Sequence, residues 1–375
     1  MSGRRADKSH LMAQSDLYGA EPPSYNQSTG SRWDPRNWTR GIIVGVIVGA
    51  VVILVVIVVG AVLGTRANEY PSYSKLTYSL QDTYSGTSFF DNFDYFTGYD
   101  PSSGFVHYVD AQVATSAQYN LTYASSSSAV LRVDTTDTNA NTGRYSVRVS
   151  SKKQYNSGLF VFDILNTPYG CSTWPALWLT DPANWPAHGE IDVVEAVNGA
   201  TTGNQMTLHT SDGCNMDRKR KETGTVLTKN CWNGTDSNAG CGVQGPQDTY
   251  GAALNSNGGG IYAMEWRSDG IRVWFFPRTS IPTDLVSSND ASPDPSSWGT
   301  ALADFPSTDC DISSHFKNQS IIANIDLCGT WAGQTSVYNT QDGCPGTCTE
   351  FVTSNATAFE TAYWEWASWR VYSAS

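Results

Sequence analysis

Twenty-four consecutive residues, Gly41 to Gly64 (GIIVGVIVGAVVILVVIVVGAVLG), carry no charged or polar side chain. A run of that length has no place on the surface of a water-soluble domain, so it divides the 375-residue chain before any other feature is weighed. As a helix rising about 1.5 Å per residue it reaches roughly 36 Å, enough to cross a hydrocarbon core of about 30 Å with some tilt. A cleaved signal peptide is the competing reading. Forty residues of polar character precede the run, and it is too long for a signal core, which favours an uncleaved anchor.

Flanking charge orients such an anchor, because cytoplasmic flanks are enriched in Lys and Arg. Arg32, Arg36 and Arg40 precede the run closely, against Arg66 and Lys75 after it. Residues 1–40, with Pro22-Pro23 and scattered Ser and Gly, are therefore expected to form a disordered cytoplasmic tail. Everything after the run is expected outside the cytosol, as in a single-pass type II membrane protein, either extracellular or lumenal. The cysteines agree: all eight (Cys171, Cys214, Cys231, Cys241, Cys310, Cys328, Cys344 and Cys348) lie on that side, an even number suited to four disulfides in an oxidising compartment. Free buried thiols or a zinc site are the alternatives; no pair shows C-x-x-C spacing and there are only five His, so neither metal nor cofactor is expected. Four N-x-S/T sequons, at Asn120, Asn233, Asn318 and Asn355, also fall outside, although Asn26 and Asn37 carry two more.

Residues 65–87 read as a polar stalk, and a single folded domain is expected over 88–375. There, short apolar or alternating runs recur between Gly, Asn, Asp and Ser clusters: Ala129 to Val133, Arg144 to Ser150, Leu159 to Leu165, Ala176 to Thr180, Glu190 to Val197, Met206 to His209, Ile261 to Trp266, Ile271 to Phe276, Ile321 to Leu327 and Tyr363 to Tyr372. Strands of this number without a sustained helical period or a fixed-length repeat indicate an all-β sandwich. The net charge of −12 argues against nucleic acid as a partner and does not repel a neutral one.

The chemistry concentrates in Gly189-Glu190-Ile191-Asp192-Val193-Val194-Glu195, three carboxylates within six residues of an apolar strand. With alternating faces, Glu190 and Asp192 share one side while Ile191 and Val193 enter the core; strict alternation would then bury Glu195. One extra residue, a β-bulge near Val193-Val194, returns Glu195 to the side of the other two acids. Paired carboxyls on one face are the equipment of general acid and nucleophilic work on a glycosidic bond. A solvated edge-strand face or a calcium site is the bland alternative, but such faces usually mix in Lys, Thr and Ser. Trp178 and Trp185 lie just upstream as candidate platforms for pyranose rings, with Trp174 nearby, and His209 is expected on a neighbouring strand. Trp331, in a Gly-rich loop, is a candidate to close one end of a cleft.

These residues resemble glycoside hydrolase family 16, in particular its fungal endo-1,3(4)-β-glucanase or laminarinase-like branch. The resemblance rests on WPALW, NWPAHGEIDVVEAVNG, MTLHTSDGC, YAMEWRSDGIRVWFFPR, IIANIDLCGTWAG and AYWEWASWRVY, and spans about Phe89 to Tyr372. It implies a jelly-roll β-sandwich of two antiparallel sheets with a concave substrate cleft, a monomer acting on β-glucan polysaccharide. By resemblance Glu190 is the nucleophile, Asp192 its assistant and Glu195 the acid/base, with Trp178, Trp185, His209, Trp331 and His107 where that branch binds substrate. The bulged motif implies action on β-1,3 or mixed β-1,3/1,4 linkages by endo-acting, retaining hydrolysis. Transglycosylation or a part in β-1,6-glucan assembly would use the same dyad. Thr330, where an acid is common, and His107, where Asn is usual, depart from the pattern.

Overall fold

A computed structural model describes residues 33–66, 70–199, 201–286 and 292–375. It divides near Gly64 into two compact units. In the first, α1 (Arg40–Arg66) is one uninterrupted helix whose span Arg40–Gly64 buries none of its surface in the protein, so its apolar side chains are exposed on all sides. That is the form of a candidate membrane span. The expectation of a disordered tail falls on residues 1–32, outside the described residues.

In the second unit the described residues form β1 (Tyr78–Ser85), β2 (Phe93–Tyr95), β3 (Val106–Tyr108), β4 (Thr122–Ala124), β5 (Ala129–Arg132), β6 (Arg144–Ser146), β7 (Arg148–Tyr155), β8 (Gly158–Asn166), β9 (Thr173–Thr180), β10 (Glu190–Glu195), β11 (Gln205–His209), β12 (Thr225–Val226), β13 (Cys241–Gln244), β14 (Gly260–Arg267), β15 (Gly270–Pro277), β16 (Ala303–Pro306), β17 (Gln319–Leu327) and β18 (Tyr363–Ala374). Two large antiparallel sheets result. One has the order β16-β15-β14-β8-β18-β5-β4, with β1 also paired to β18; the other runs β12-β13-β11-β10-β9-β17-β7-β2. β3 and β6 form a small parallel pair.

The sheets enclose a core in which β18 supplies Trp364, Trp366 and Trp369, all fully buried. Trp364 and Trp366 stack at 5.5 Å, and a register shift between Trp366 and Ser368 against β8 turns Trp369 to the same side. A smaller cluster covers the other face of the β18 sheet, where Leu159, Val161, Ile261 and Tyr372 pack with Leu285 and Trp298. This second burial explains why β8 and β14 read as near-continuous apolar runs rather than as alternation.

The expected stalk is corrected in part. Residues 78–85, assigned to it from sequence, pair with β18 along their whole length. Tyr78 is buried and its hydroxyl donates to Glu265 at 2.7 Å, and upstream Tyr73 donates to Asp304 at 2.5 Å. A register shift between Leu80 and Asp82 breaks the alternation of β1, which hides the strand from a period-two reading. The cysteines close as Cys171–Cys344, Cys214–Cys310, Cys231–Cys241 and Cys328–Cys348, leaving none free.

Candidate active site

The site is built on β10. Its entry is pinned at Gly189, whose φ of +72° suits glycine and where a Cβ would meet the His315 carbonyl at 2.5 Å. The Gly189 carbonyl accepts from Thr180 Oγ1 at 2.8 Å, tying the entry to β9. Along β10, Glu190 faces Thr180 on β9 and His209 on β11, and Asp192 faces Trp178 and Thr207. Two residues then oppose one: Asp192 pairs with Trp178 but Val194 with Leu177, so the strand carries an extra residue at Val193. Val193 and Val194 are both fully buried, and Glu195 emerges on the side of Glu190 and Asp192. The bulge expected from three clustered acids is present.

Asn204 braces it. Its Oδ1 accepts the Glu195 backbone N–H at 2.8 Å and its Nδ2 donates to the Val193 carbonyl at 2.8 Å, filling both hydrogen-bonding positions that the bulge removes from the ladder. Glu195 is held again at its side chain, where the Trp174 indole donates to Oε1 at 2.8 Å. Trp331 meets Trp174 edge-on at 5.7 Å, so it stands on the Glu195 side of the site. At the other end Trp185 is 40% exposed, free to present its ring, and it lies close enough to Glu190 to favour the ionised carboxylate. Trp178 is fixed between them, its indole donating to Asn324 Oδ1 at 2.7 Å and its ring covered by the Arg148 guanidinium at 4.9 Å.

His209 lies against the acids as its place on β11 requires. Nε2 is 3.4 Å from Asp192 Oδ2, a charge contact poorly aligned for a hydrogen bond, and 3.9 Å from Glu190 Oε1; Nδ1 is 3.0 Å from Asn238 Oδ1. Burial alone would lower its proton affinity, yet the surrounding Asp192, Glu190 and Glu195 outweigh burial and push His209 up to about 9. Burial, and then the charge of Asp192, raises Glu190 from 4.5 to about 7. The same two causes hold Glu195 well above the carboxylate range, against the opposing pull of the Trp174 hydrogen bond. A cationic imidazole beside Glu190 and a neutral acid at Glu195 give two carboxyls of different character on one open face, the division of labour that acid-assisted displacement at a sugar carbon needs.

His107 is not brought to this group. On β3 it is exposed, 3.2 Å from Thr142 Oγ1 and edge-on to Tyr145 at 6.3 Å. It borders a separate cavity of about 610 Å³ with Gln118, Tyr119 and Asp137, and none of the three acids lines that cavity. The residues missed from sequence are Asn204, Arg148 and Asn324, and Trp174 was named there only as a neighbour of Trp178, without its bond to Glu195. Trp174 was legible in principle, since it shares strand parity with Trp178 in TWPALW. Among the described residues, Glu190, Asp192 and His209 are also the one group whose donor atoms could converge on a metal ion.

A two-sheet sandwich presenting this pair of carboxyls beside the exposed Trp185 and the part-buried Trp174, Trp178 and Trp331 defines a glycoside hydrolase. The particular family follows from comparison: residues 93–372 match the model of the XgeA-like, catalytic GH16 domain, and the chain belongs to glycoside hydrolase family 16. It is 48% identical over 309 residues to a probable glycosidase of Schizosaccharomyces pombe (81% of this chain, 71% of that protein). It is 40% identical over 305 residues to an endo-1,3(4)-beta-glucanase of Arthroderma benhamiae (79% of this chain, 65% of that protein). Among solved structures, laminarinase 16A of Phanerochaete chrysosporium, seen with beta-glucans in both donor and acceptor sites, superposes with a TM-score of 0.76 at 47% identity. An elongating family 16 beta-1,3-glucosyltransferase gives 0.72 at 40% identity. Each of these two covers 79% of this chain and is covered over its whole length.

Proposed function

We propose that the chain is an endo-acting, retaining hydrolase of β-1,3 or mixed β-1,3/1,4 glucan, carried by α1 as a type II membrane protein with its sandwich outside the cytosol. The observation that carries the reading is the bulge at Val193, which turns Glu195 to the face of Glu190. In the proposed cycle the Glu190 carboxylate attacks the anomeric carbon while Glu195 gives its proton to the departing glycosidic oxygen. The glycosyl ester so formed is hydrolysed when Glu195, now ionised, takes a proton from water. His209 and Asp192 set the charge around Glu190, and Trp185 and Trp331 offer ring faces to sugars on either side of the cleavage point. Four disulfides and the span Arg40–Gly64 support the extracytoplasmic arrangement.

A second reading shares every step except the last: a sugar hydroxyl replaces water and the chain elongates glucan. The 40% identity to a glucosyltransferase favours keeping it in view. Incubating the full chain in detergent with laminarin, lichenan and pustulan separates the two by product length, shorter for hydrolysis and longer for transfer. Azide added to Glu195→Ala reports the stereochemistry. A β-glucosyl azide is expected; an α product, or no rescue, would remove Glu195 from its role.

A further inference from the structure

Glu190, Asp192 and His209 have a property that sugar chemistry does not call for. One donor atom from each lies within 4.8 Å of the others, and the two distances from His209 Nε2 are 3.4 Å to Asp192 Oδ2 and 3.9 Å to Glu190 Oε1. Ligands bound to one small divalent ion at about 2.0 to 2.2 Å are separated from each other by roughly 3 to 3.5 Å. The first distance is already within that span, and a small rotation of the Glu190 side chain brings in the second.

An independent feature marks the centre of the group. Asp192 is only 3% exposed, and its Oδ2, facing the imidazole, has no hydrogen-bond partner. A buried carboxylate oxygen held by a charge contact with His209 but by no hydrogen bond is an uncommon feature and a ready acceptor for a cation. The imidazole is also oriented as a ligand: Nδ1–H donates to Asn238 Oδ1, so Nε2 is the nitrogen that faces the carboxylates, and an ion bound there displaces the proton Nε2 carries in the cationic ring. A side-chain acceptor behind a coordinating histidine is the usual means of fixing its orientation at a metal.

We infer that Glu190, Asp192 and His209 form a binding site for one divalent ion of the zinc class. Two carboxylates and one imidazole leave a fourth position for water and suit zinc better than calcium, which requires six to eight oxygens. An ion bound there engages the carboxylate proposed to attack the sugar, so glucan cleavage becomes reversibly sensitive to it. That inhibition rests on the function proposed above; the binding itself does not.

The test is calorimetric titration of the full chain, in detergent and without glucan, with zinc chloride. One ion per chain is expected, and a tenfold excess of calcium should not displace it. His209→Gln and Asp192→Asn should each weaken binding at least tenfold, and Asn238→Ala, which touches no ion, by about 10 to 100-fold. X-ray absorption on the zinc-loaded wild-type protein should give one imidazole among oxygen ligands, a readout that stands even where a variant fails to fold. Absence of a single stoichiometric site, or binding that the three substitutions leave unchanged, overturns the inference. Because no substrate is present, a wild-type protein that cleaves glucan but binds no zinc would overturn this inference alone, and one that binds zinc but cleaves no glucan would overturn the proposed hydrolysis alone.

Discussion

Replacing Glu190 with glutamine should make the folded protein more stable while ending its catalysis, and the size of the gain should depend on pH in a way the site dictates. In the unfolded chain this carboxyl releases its proton near 4.5; in the folded site burial and the neighbouring Asp192 raise that point to about 7. The fold therefore prefers the neutral acid. That preference contributes fully below about pH 4.5 and is lost as pH rises through 7. At about 1.4 kcal/mol for each tenfold change in proton affinity, the ionised Glu190 costs the fold roughly 3 kcal/mol at pH 8. The side chain is only 16% exposed, so solvent screening takes little of this away. A glutamine side chain is neutral at every pH, and the advantage of Glu190→Gln should be near zero at pH 4 and approach about 3 kcal/mol at pH 8. For a domain of this size that is a rise of roughly 5 to 10 °C in midpoint. Thermal unfolding of the full chain in detergent at the two pH values, followed by tryptophan fluorescence, measures it. An offset between variant and wild type that is equal at pH 4 and pH 8 would refute the reasoning, because no proton linkage would then reside at Glu190.

Trp174→Phe removes the indole that stabilises ionised Glu195, so Glu195 should hold its proton more strongly and the alkaline limb of the kcat/KM profile should move to higher pH. A pH–rate profile with that limb unmoved would contradict the assignment. Asn204→Ala strands the Val193 carbonyl and the Glu195 N–H inside the protein, and a loss of about 2 to 4 kcal/mol is expected in urea unfolding, with activity falling alongside. Cys214 and Cys310 are 96 residues apart and Cys231 and Cys241 only 10. Chain entropy assigns roughly 4.7 kcal/mol to the first bridge and about 3 to the second, so double alanine variants should differ in thermal midpoint in that order.

The long strands were legible because their apolar runs sit between turn-forming clusters, and β8, β9, β14 and β17 fall within two or three residues of where the sequence puts them. The bulge was legible for a different reason: three acids on one apolar strand can all reach one face only if the strand gains a residue. What stayed hidden has local causes. The strands β2, β3, β4, β12, β13 and β16 have two to four residues each, too few to display a period. β1 carries its own register shift, and its polar residues looked like linker. Asn204 was invisible because its work is done on the backbone of another strand, and nothing in its neighbours announces that. His107 shows a different limit. Its position comes from the resemblance alone, and its contacts in the fold are with Thr142 and Tyr145, away from the three acids.

The position of β18 bears on how the molecule can be made. It is hydrogen-bonded to β8, β5 and β1, yet it occupies residues 363–374, so Tyr78 must wait for Ala374, 296 residues later, before the pair can form. At about 5 to 20 residues per second of synthesis the wait is roughly 15 to 60 seconds, during which β8 and β5 offer bare, apolar edges to their surroundings. Contacts so distant in sequence also make for slow closure once the last strand arrives. Losing β18 would split its sheet between β8 and β5 and leave β1 without a partner, and not merely fray one margin.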